Sequence, residues 1–494
     1  MLSTIINGLK ENPKDTELMN EVFMHLLEIE NEAEIDDVIE EVANITEISC
    51  EEWKDELNKK MHKANLAEDG QNEKEATRTS FYHEHEFLAE QIYRNGVSLF
   101  KTFNAETEFI GELESFGGRG SIYEPVLGDE LATGVVKLPS DAVEYGSTNK
   151  LLEDIEQHIY SYLDISSDYV KIASYYILLT WMSDHFQSLP YLRALGETGC
   201  GKSRFINVIG GLCYKPTIIS GVFSLDPIYS LIAKWKGTLL IDGLDLKNSD
   251  ENSNIVKVLN CSFEKNRPII KTSAGNKEDF IIHDLYGPKI LTSREPFKDQ
   301  ALESRCLTEV MRETSRTDIP YNLNYEFYQH QQELKNKLLL YRLTTYHFND
   351  PSCWAKIDLS WLEEGRLKQM AESVFQLLGT DQKGKECFQE FLTNYQRSLV
   401  KQRSESEEAQ VVQELLNQKS KIDPLEQNNK KNLLPIAPGD IANEIDLKAV
   451  RVGQIINKLG LTTKKVRVSS KTGTKNCIVN DEEVMEKLRR RYIV

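Results

Sequence analysis

The stretch GETGCGKS, residues 196–203, follows the short apolar run YLRAL and opens the helical pattern KSRFINVIGGL. No other feature constrains the fold of this chain as tightly. Glycines at 196, 199 and 201 let the backbone turn sharply with its amides pointing inward, which builds a concave anion nest at the start of a helix. Gly196, Glu197, Thr198, Gly199, Cys200 and Gly201 form the loop. Lys202 brings a mobile positive charge for nucleotide phosphates, and Ser203 a hydroxyl for Mg2+. The motif works only between a strand and a helix, so it requires an α/β unit here.

The surrounding pattern meets that requirement. YLRAL, PTIIS, GTLLID, PKILTS and CLTEVM are short apolar runs, most of them followed by a polar helical stretch. Such alternation predicts a parallel sheet with helices on both faces. GTLLID ends in Asp242, at the carboxyl end of a neighbouring strand, where a carboxylate can hold Mg2+ through water. The next residue is Gly243, at the place where many ATPases of this kind carry a Glu that polarises the attacking water. Asp245 either takes over as the base or caps the helix that follows, and Glu197 is the other acid near the loop.

Length and charge narrow the function classes. At 494 residues the chain holds several domains. Its net charge of −19 argues against a surface that grips nucleic acid throughout. The charge is uneven: residues 1–80 carry 21 acidic against 8 basic side chains, and residues 429–494 carry 14 basic against 7 acidic. Only the tail reads as a polyanion binder. The 8 cysteines are scattered without a CxxC pair or a His at metal-ligand spacing, which predicts reduced thiols and no zinc ribbon. No apolar run reaches the ~18 residues of a membrane span, and a soluble cytoplasmic protein is expected.

The walk along the chain predicts six parts. Residues 1–80 form an acidic helical domain and 81–150 a small β-containing domain. Residues 151–320 hold the sheet and its phosphate loop, and 321–400 are helical. A linker with a charged helix spans 401–435, and a basic DNA-binding domain spans 436–494. Between the metal strand and the next one, RPIIKTSAGNKEDFIIHD reads as a β-hairpin.

PYLRALGETGCGKS, KWKGTLLIDGLD and GPKILTSREPFKDQALESRC, in this order, resemble the AAA+ ATPase module, and most of all the MCM-like self-loading helicases of mobile genetic elements. The resemblance covers residues 150–400 and makes 321–400 a helical lid. It implies ATP as cofactor, Thr292 or Ser293 orienting the lytic water, and Arg305 as a finger that completes a neighbouring subunit's site. It also implies Arg366 as a second sensor in the lid. A finger acting between copies implies a homo-oligomeric ring, a hexamer. In the resembled group the hairpin projects into the central pore, so Lys271 and Lys277 either track a DNA strand or lie on a solvated hairpin.

The tail resembles a winged helix-turn-helix: GDIANEI, then KAVRVGQIINKLG with Val450, Ile455, Ile456 and Leu459 on one side, then a wing around KTGTK. Lys448, Arg451, Lys464, Lys465, Arg467, Lys471 and Lys475 are phosphate contacts in that reading; a protein-docking module is the alternative. Two functions are open. One is an ATP-driven helicase or translocase for single- and double-stranded DNA in mobile-element replication, its acidic front docking a protein partner. The other is a nucleotide-switched DNA-binding regulator without unwinding.

Overall fold

The computed structural model describes residues 2–13, 16–26, 32–46, 48–50, 53–54, 76–220, 225–244, 250–272, 280–348, 357–379, 381–422, 433–469 and 473–493. It divides into two units, Met1–Ile357 with Gln369–Leu377, and Asp358–Lys368 with Leu378–Val494.

The first unit begins with three helices, α1 (Leu2–Glu11), α2 (Thr16–Leu26) and α3 (Glu32–Thr46). They turn Ile5, Leu9, Val22, Leu26, Ile39 and Val42 onto a common core with Trp53, the helical spacing that an amphipathic face requires. Seven strands follow: β1 (Thr77–Thr79), β2 (Phe81–Glu84), β3 (Phe87–Arg94), β4 (Val97–Asn104), β5 (Phe109–Leu113), β6 (Phe116–Gly118) and β7 (Ser121–Pro125). β2-β3-β4-β5 is an antiparallel sheet, and β1-β7-β6 a second, smaller one. After α4 (Asp129–Ala132) come α5 (Thr148–Tyr162) and α6 (Ser167–Trp181). Ser147 and Ser166 cap these two helices by accepting from Lys150 N and Tyr169 N, bonds that satisfy otherwise orphaned amides.

The parallel sheet is next, built from β8 (Tyr191–Leu195), α7 (Lys202–Val208), β9 (Thr217–Ser220), α8 (Leu225–Trp235), β10 (Leu239–Asp242), α9 (Asp250–Cys261), the hairpin β11 (Ile269–Thr272) and β12 (Phe280–His283), β13 (Lys289–Ser293), α10 (Gln300–Glu303) and β14 (Cys306–Val310). The strand order is β14-β8-β13-β10-β9, with every pair parallel. All five strands expected from the sequence are in it, and β8 and β13 are buried along their whole length, as a sheet covered on both faces demands. Helix α11 (Tyr325–Thr345) completes this part.

A buried ionic network ties these layers together. Glu90 of β3, 1% exposed, meets Lys215 Nζ at 2.9 Å and Arg342 Nε of α11 at 2.5 Å, and accepts from Tyr214 Oη at 2.8 Å. Arg342 also reaches Asp184 at 2.9 Å, which accepts from Tyr346 Oη at 2.8 Å. Arg342 beside Asp184 holds that carboxyl well below its usual range, against burial. The strand sheet, the end of α6, the segment after α7 and α11 therefore share one cluster of charges.

Lys335 of α11 is 4% exposed. Burial, with Lys137 nearby, pulls its ammonium down to about 7. Because the unfolded chain keeps this group near 10.5, it binds more protons than the fold does between pH 7 and 10.5. Lys335 thus costs the fold nothing above pH 10.5, and its cost is complete below pH 7. We expect thermal unfolding of the wild type to gain on that of Lys335→Met as pH rises from 7 to 9.5; a constant gap between them would contradict this.

The second unit holds α12 (Gly365–Leu378) in part, then α13 (Gln382–Ser404), α14 (Glu407–Ser420), α15 (Pro438–Ala442), α16 (Ala449–Lys458), β15 (Thr463–Ser469), β16 (Gly473–Ile478) and α17 (Glu482–Tyr492). α14 lies within the stretch expected to link domains, yet it gives Val411, Val412 and Leu415 to the core of the tail, beside Ile441, Val452, Ile455, Ile456, Ile478 and Met485. A bridge from Leu433 to Val479 extends the β15–β16 pair. One sequence expectation is corrected here. Val450 does not face the core but is 75% exposed, and Val452 takes that place, because residues 452, 455, 456 and 459 are the set spaced to share one helical face. No helix among the described residues is long and apolar enough to cross a membrane.

Candidate functional site

The loop 196–201 leaves the carboxyl end of β8 and runs into α7, the edge of a parallel sheet where ligands bind. Gly199 and Gly201 have φ of 90° and 95°, values that suit glycine. A Cβ on Gly196 would come within 2.6 Å of the Met311 carbonyl and 2.8 Å of Cys200 Sγ. The loop is clamped from both sides: Gly196 N donates to Ser293 O at 3.2 Å, and Met311 N to Leu195 O at 2.7 Å. Lys202 Nζ donates to Gly196 O at 2.8 Å and Glu197 O at 2.7 Å, so its charge rests on the loop itself. Ser203 is exposed in the first turn of α7.

The carboxylate expected beside this loop is in place. Asp242 ends β10, and β13 lies between β10 and β8. Thr292 of β13 donates its hydroxyl to Asp242 Oδ1 at 2.8 Å and accepts from Gly243 N at 2.7 Å. Of the two hydroxyls weighed on this strand, Thr292 holds Asp242. Ser293 is fully buried, and its carbonyl is what touches the loop. Gly243 has φ of 80°, a conformation in which an L side chain is strained. That gives a physical reason for the missing Glu. Asp245 and Lys277 lie outside the described residues, as does Lys471.

Arg305 sits at the other end of the sheet. Tyr191, the first residue of β8, pairs with Cys306, and at ~3.3 Å per residue the loop is a strand's length away, roughly 16 Å. The guanidinium packs over the Phe263 ring at 5.3 Å and donates to the Ala301 carbonyl. Arg366 belongs to the second unit, whereas the loop is in the first. Lys271 is tied down: its Nζ meets Asp226 Oδ1 of α8 at 2.9 Å and stands 3.7 Å from the Tyr229 ring centre. The opposite face of the hairpin carries Ile270, Phe280 and Ile282, all exposed.

In the tail, Lys448, Lys464 and Lys465 are exposed. Arg451 pairs with Glu407 at 2.8 Å and Lys458 with Glu408 at 2.8 Å, both acids on α14. Lys475 pairs with Asp440 at 2.5 Å. Arg467 is a β15 residue. Two neighbours of the loop escaped the sequence reading. Met311 clasps it through its backbone, and Arg294 is exposed directly after Ser293, on the same edge as Asp242. A basic residue just past the strand that runs beside the phosphate loop was the signal for Arg294; nothing in the sequence marked Met311.

No protein-family model matches the chain, and no curated protein matches it. Among solved structures it is similar to the active helicase Cch of SCCmec type IV, 11% identical with a TM-score of 0.41 over 87% of this chain and 84% of that one. It is also similar to the apo C-terminal region of NrS-1, 10% identical with a TM-score of 0.34 over 85% of this chain and 98% of that one. A third, JCV helicase, is 12% identical with a TM-score of 0.24 over 52% of this chain and 64% of that one.

Proposed function

We propose that the chain is an ATP-driven DNA translocase or helicase of AAA+ type that works as a ring, a hexamer by resemblance, in the replication of a mobile genetic element. The observation that carries this reading is the Asp242–Thr292 hydrogen bond one strand away from the glycine-lined loop. It fixes a carboxylate beside a phosphate cradle, the arrangement a nucleotide-bound Mg2+ needs. The strand order β14-β8-β13-β10-β9 and the separation of Arg305 from its own loop support it further.

The residues suit the group. Backbone amides of 196–201 and Lys202 would hold the phosphates, and Ser203 and Asp242 the Mg2+. Among the described residues no cluster of three His, Cys, Asp or Glu forms a metal cage, and Mg2+ on phosphates and water does not need one. When bound, Mg2+ neutralises charge that builds on the transferred phosphoryl group. The chain's own part is positional: Thr292 or Ser293 orients the attacking water, and Glu197 or Asp245 takes its proton. Arg305 acts on the site of a neighbouring copy, Arg366 senses nucleotide from the lid, and Lys271, on exchanging Asp226 for a phosphate, contacts DNA with Lys277 from the hairpin. The tail, 436–494 with α14 packed into it, engages duplex phosphates through Lys448, Lys464, Lys465, Arg467 and Lys471, while residues 1–80 dock a protein partner.

Gly243 favours a second reading, a nucleotide-switched regulator that binds DNA without unwinding it. Hydrolysis by the full chain with and without single-stranded DNA, alongside strand displacement on a forked duplex, separates the two. Stimulated hydrolysis with displacement is expected; DNA-independent hydrolysis without displacement would leave the regulator.

A further inference from the structure

Helix α16 buries Val452, Ile455 and Ile456 in the core of the tail. At 100° per residue, the residues opposite that stripe are Val450, Gln454 and Asn457, and all three are exposed. Neither carboxamide bonds to another described residue, whereas the basic residues of the flank, Arg451 and Lys458, are paired with Glu407 and Glu408. The outward stripe is thus uncharged, with a branched methyl side chain at one end and two carboxamides after it.

We propose that this stripe reads A·T base pairs in the major groove of a DNA duplex, with Gln454 and Asn457 on adenine edges and Val450 against a thymine methyl. The proposal rests on the reading of the tail as a duplex-binding module. A carboxamide offers the donor and acceptor that match adenine N6 and N7, and apolar groups distinguish thymine by its methyl. Residues 450 to 457 span roughly 10 Å of helix axis, about three base-pair steps at 3.4 Å each. Lys448 at the start of α16 and Lys464 and Lys465 on β15 are exposed cations on either side of the stripe in sequence. Their charge complements the phosphates that border a groove, and residues 429–494 carry twice as many basic as acidic side chains, 14 against 7. Positioning by lysines and reading by carboxamides are separate tasks.

The test is selection from a random duplex pool with the full-length chain, followed by competition between the selected duplex and a random one. The wild type is expected to enrich a site of about three base pairs containing adenine. Gln454→Ala and Asn457→Ala should each lose tenfold or more of the preference for the selected duplex, with binding to random duplex unchanged. Gln454→Arg should move the preferred base from adenine to guanine. A wild type that binds random duplex in a salt-sensitive way but enriches no sequence overturns the base readout alone, as does an enriched site unchanged in all three variants. A wild type that binds no duplex overturns the reading of the tail as well.

Discussion

Arg305→Ala is expected to slow ATP turnover by ~10³-fold or more while leaving nucleotide binding near wild type, because a guanidinium of this kind stabilises charge present only in the transition state. Such a loss corresponds to roughly 4 kcal/mol of barrier. Lys202→Ala should be equally inactive for a different reason: it removes the cation of the phosphate loop, so binding falls too. The two defects lie at opposite ends of one sheet, since Arg305 precedes the first residue of β14 and the loop follows the last residue of β8. One molecule cannot bring them together. Mixing the two inactive variants should therefore restore part of the activity, at interfaces where an intact loop meets an intact arginine. Turnover assayed across mixing ratios checks this. No recovery at any ratio, or an Arg305→Ala protein with full turnover, would remove the shared site and with it the case for a ring.

The second large effect concerns stability. Glu90→Ala should destabilise the first unit by ~3–5 kcal/mol, the cost of leaving buried charges without their partner, set against a total of ~5–15 kcal/mol for an ordinary domain. Lys215 and Arg342 both contact that carboxylate and both are almost fully buried. Arg342 keeps Asp184, but Lys215 loses its one carboxylate among the described residues and keeps Ser80, whose carbonyl oxygen it reaches at 2.6 Å, and the Tyr214 ring, whose centre is 4.7 Å away. Burial already pulls the Lys215 ammonium down to about 8, and removing Glu90 would pull it further. Glu90→Leu combined with Lys215→Met should recover most of the loss, because the expense lies in the widowed charge and not in the absent pair. Urea unfolding of the three proteins decides it; a Glu90→Ala chain as stable as wild type would refute the account.

The sheet was legible because its strands are short, mostly apolar and punctuated by polar helices, a pattern that burial on two faces imposes. Asp242 was legible for the same reason: it is the first polar residue after a buried run. Thr292 and Ser293 could not be told apart, since adjacent strand residues point to opposite faces and the sequence does not say which face meets Asp242. Glu90, Lys215, Arg342 and Asp184 left no trace, being far apart in the chain and ordinary in composition. The tail shows a subtler failure. Val450 and Val452 are equally apolar, and only the exact phase of α16 decides which enters the core. That phase also turned Gln454 and Asn457 outward, which composition alone hides among other polar residues.

The two carbonyls under the Lys202 ammonium have a kinetic consequence. In the proposed reading a triphosphate draws the Lys202 side chain off the Gly196 and Glu197 carbonyls, so the loop behaves as a stoppered vessel and not an open cup.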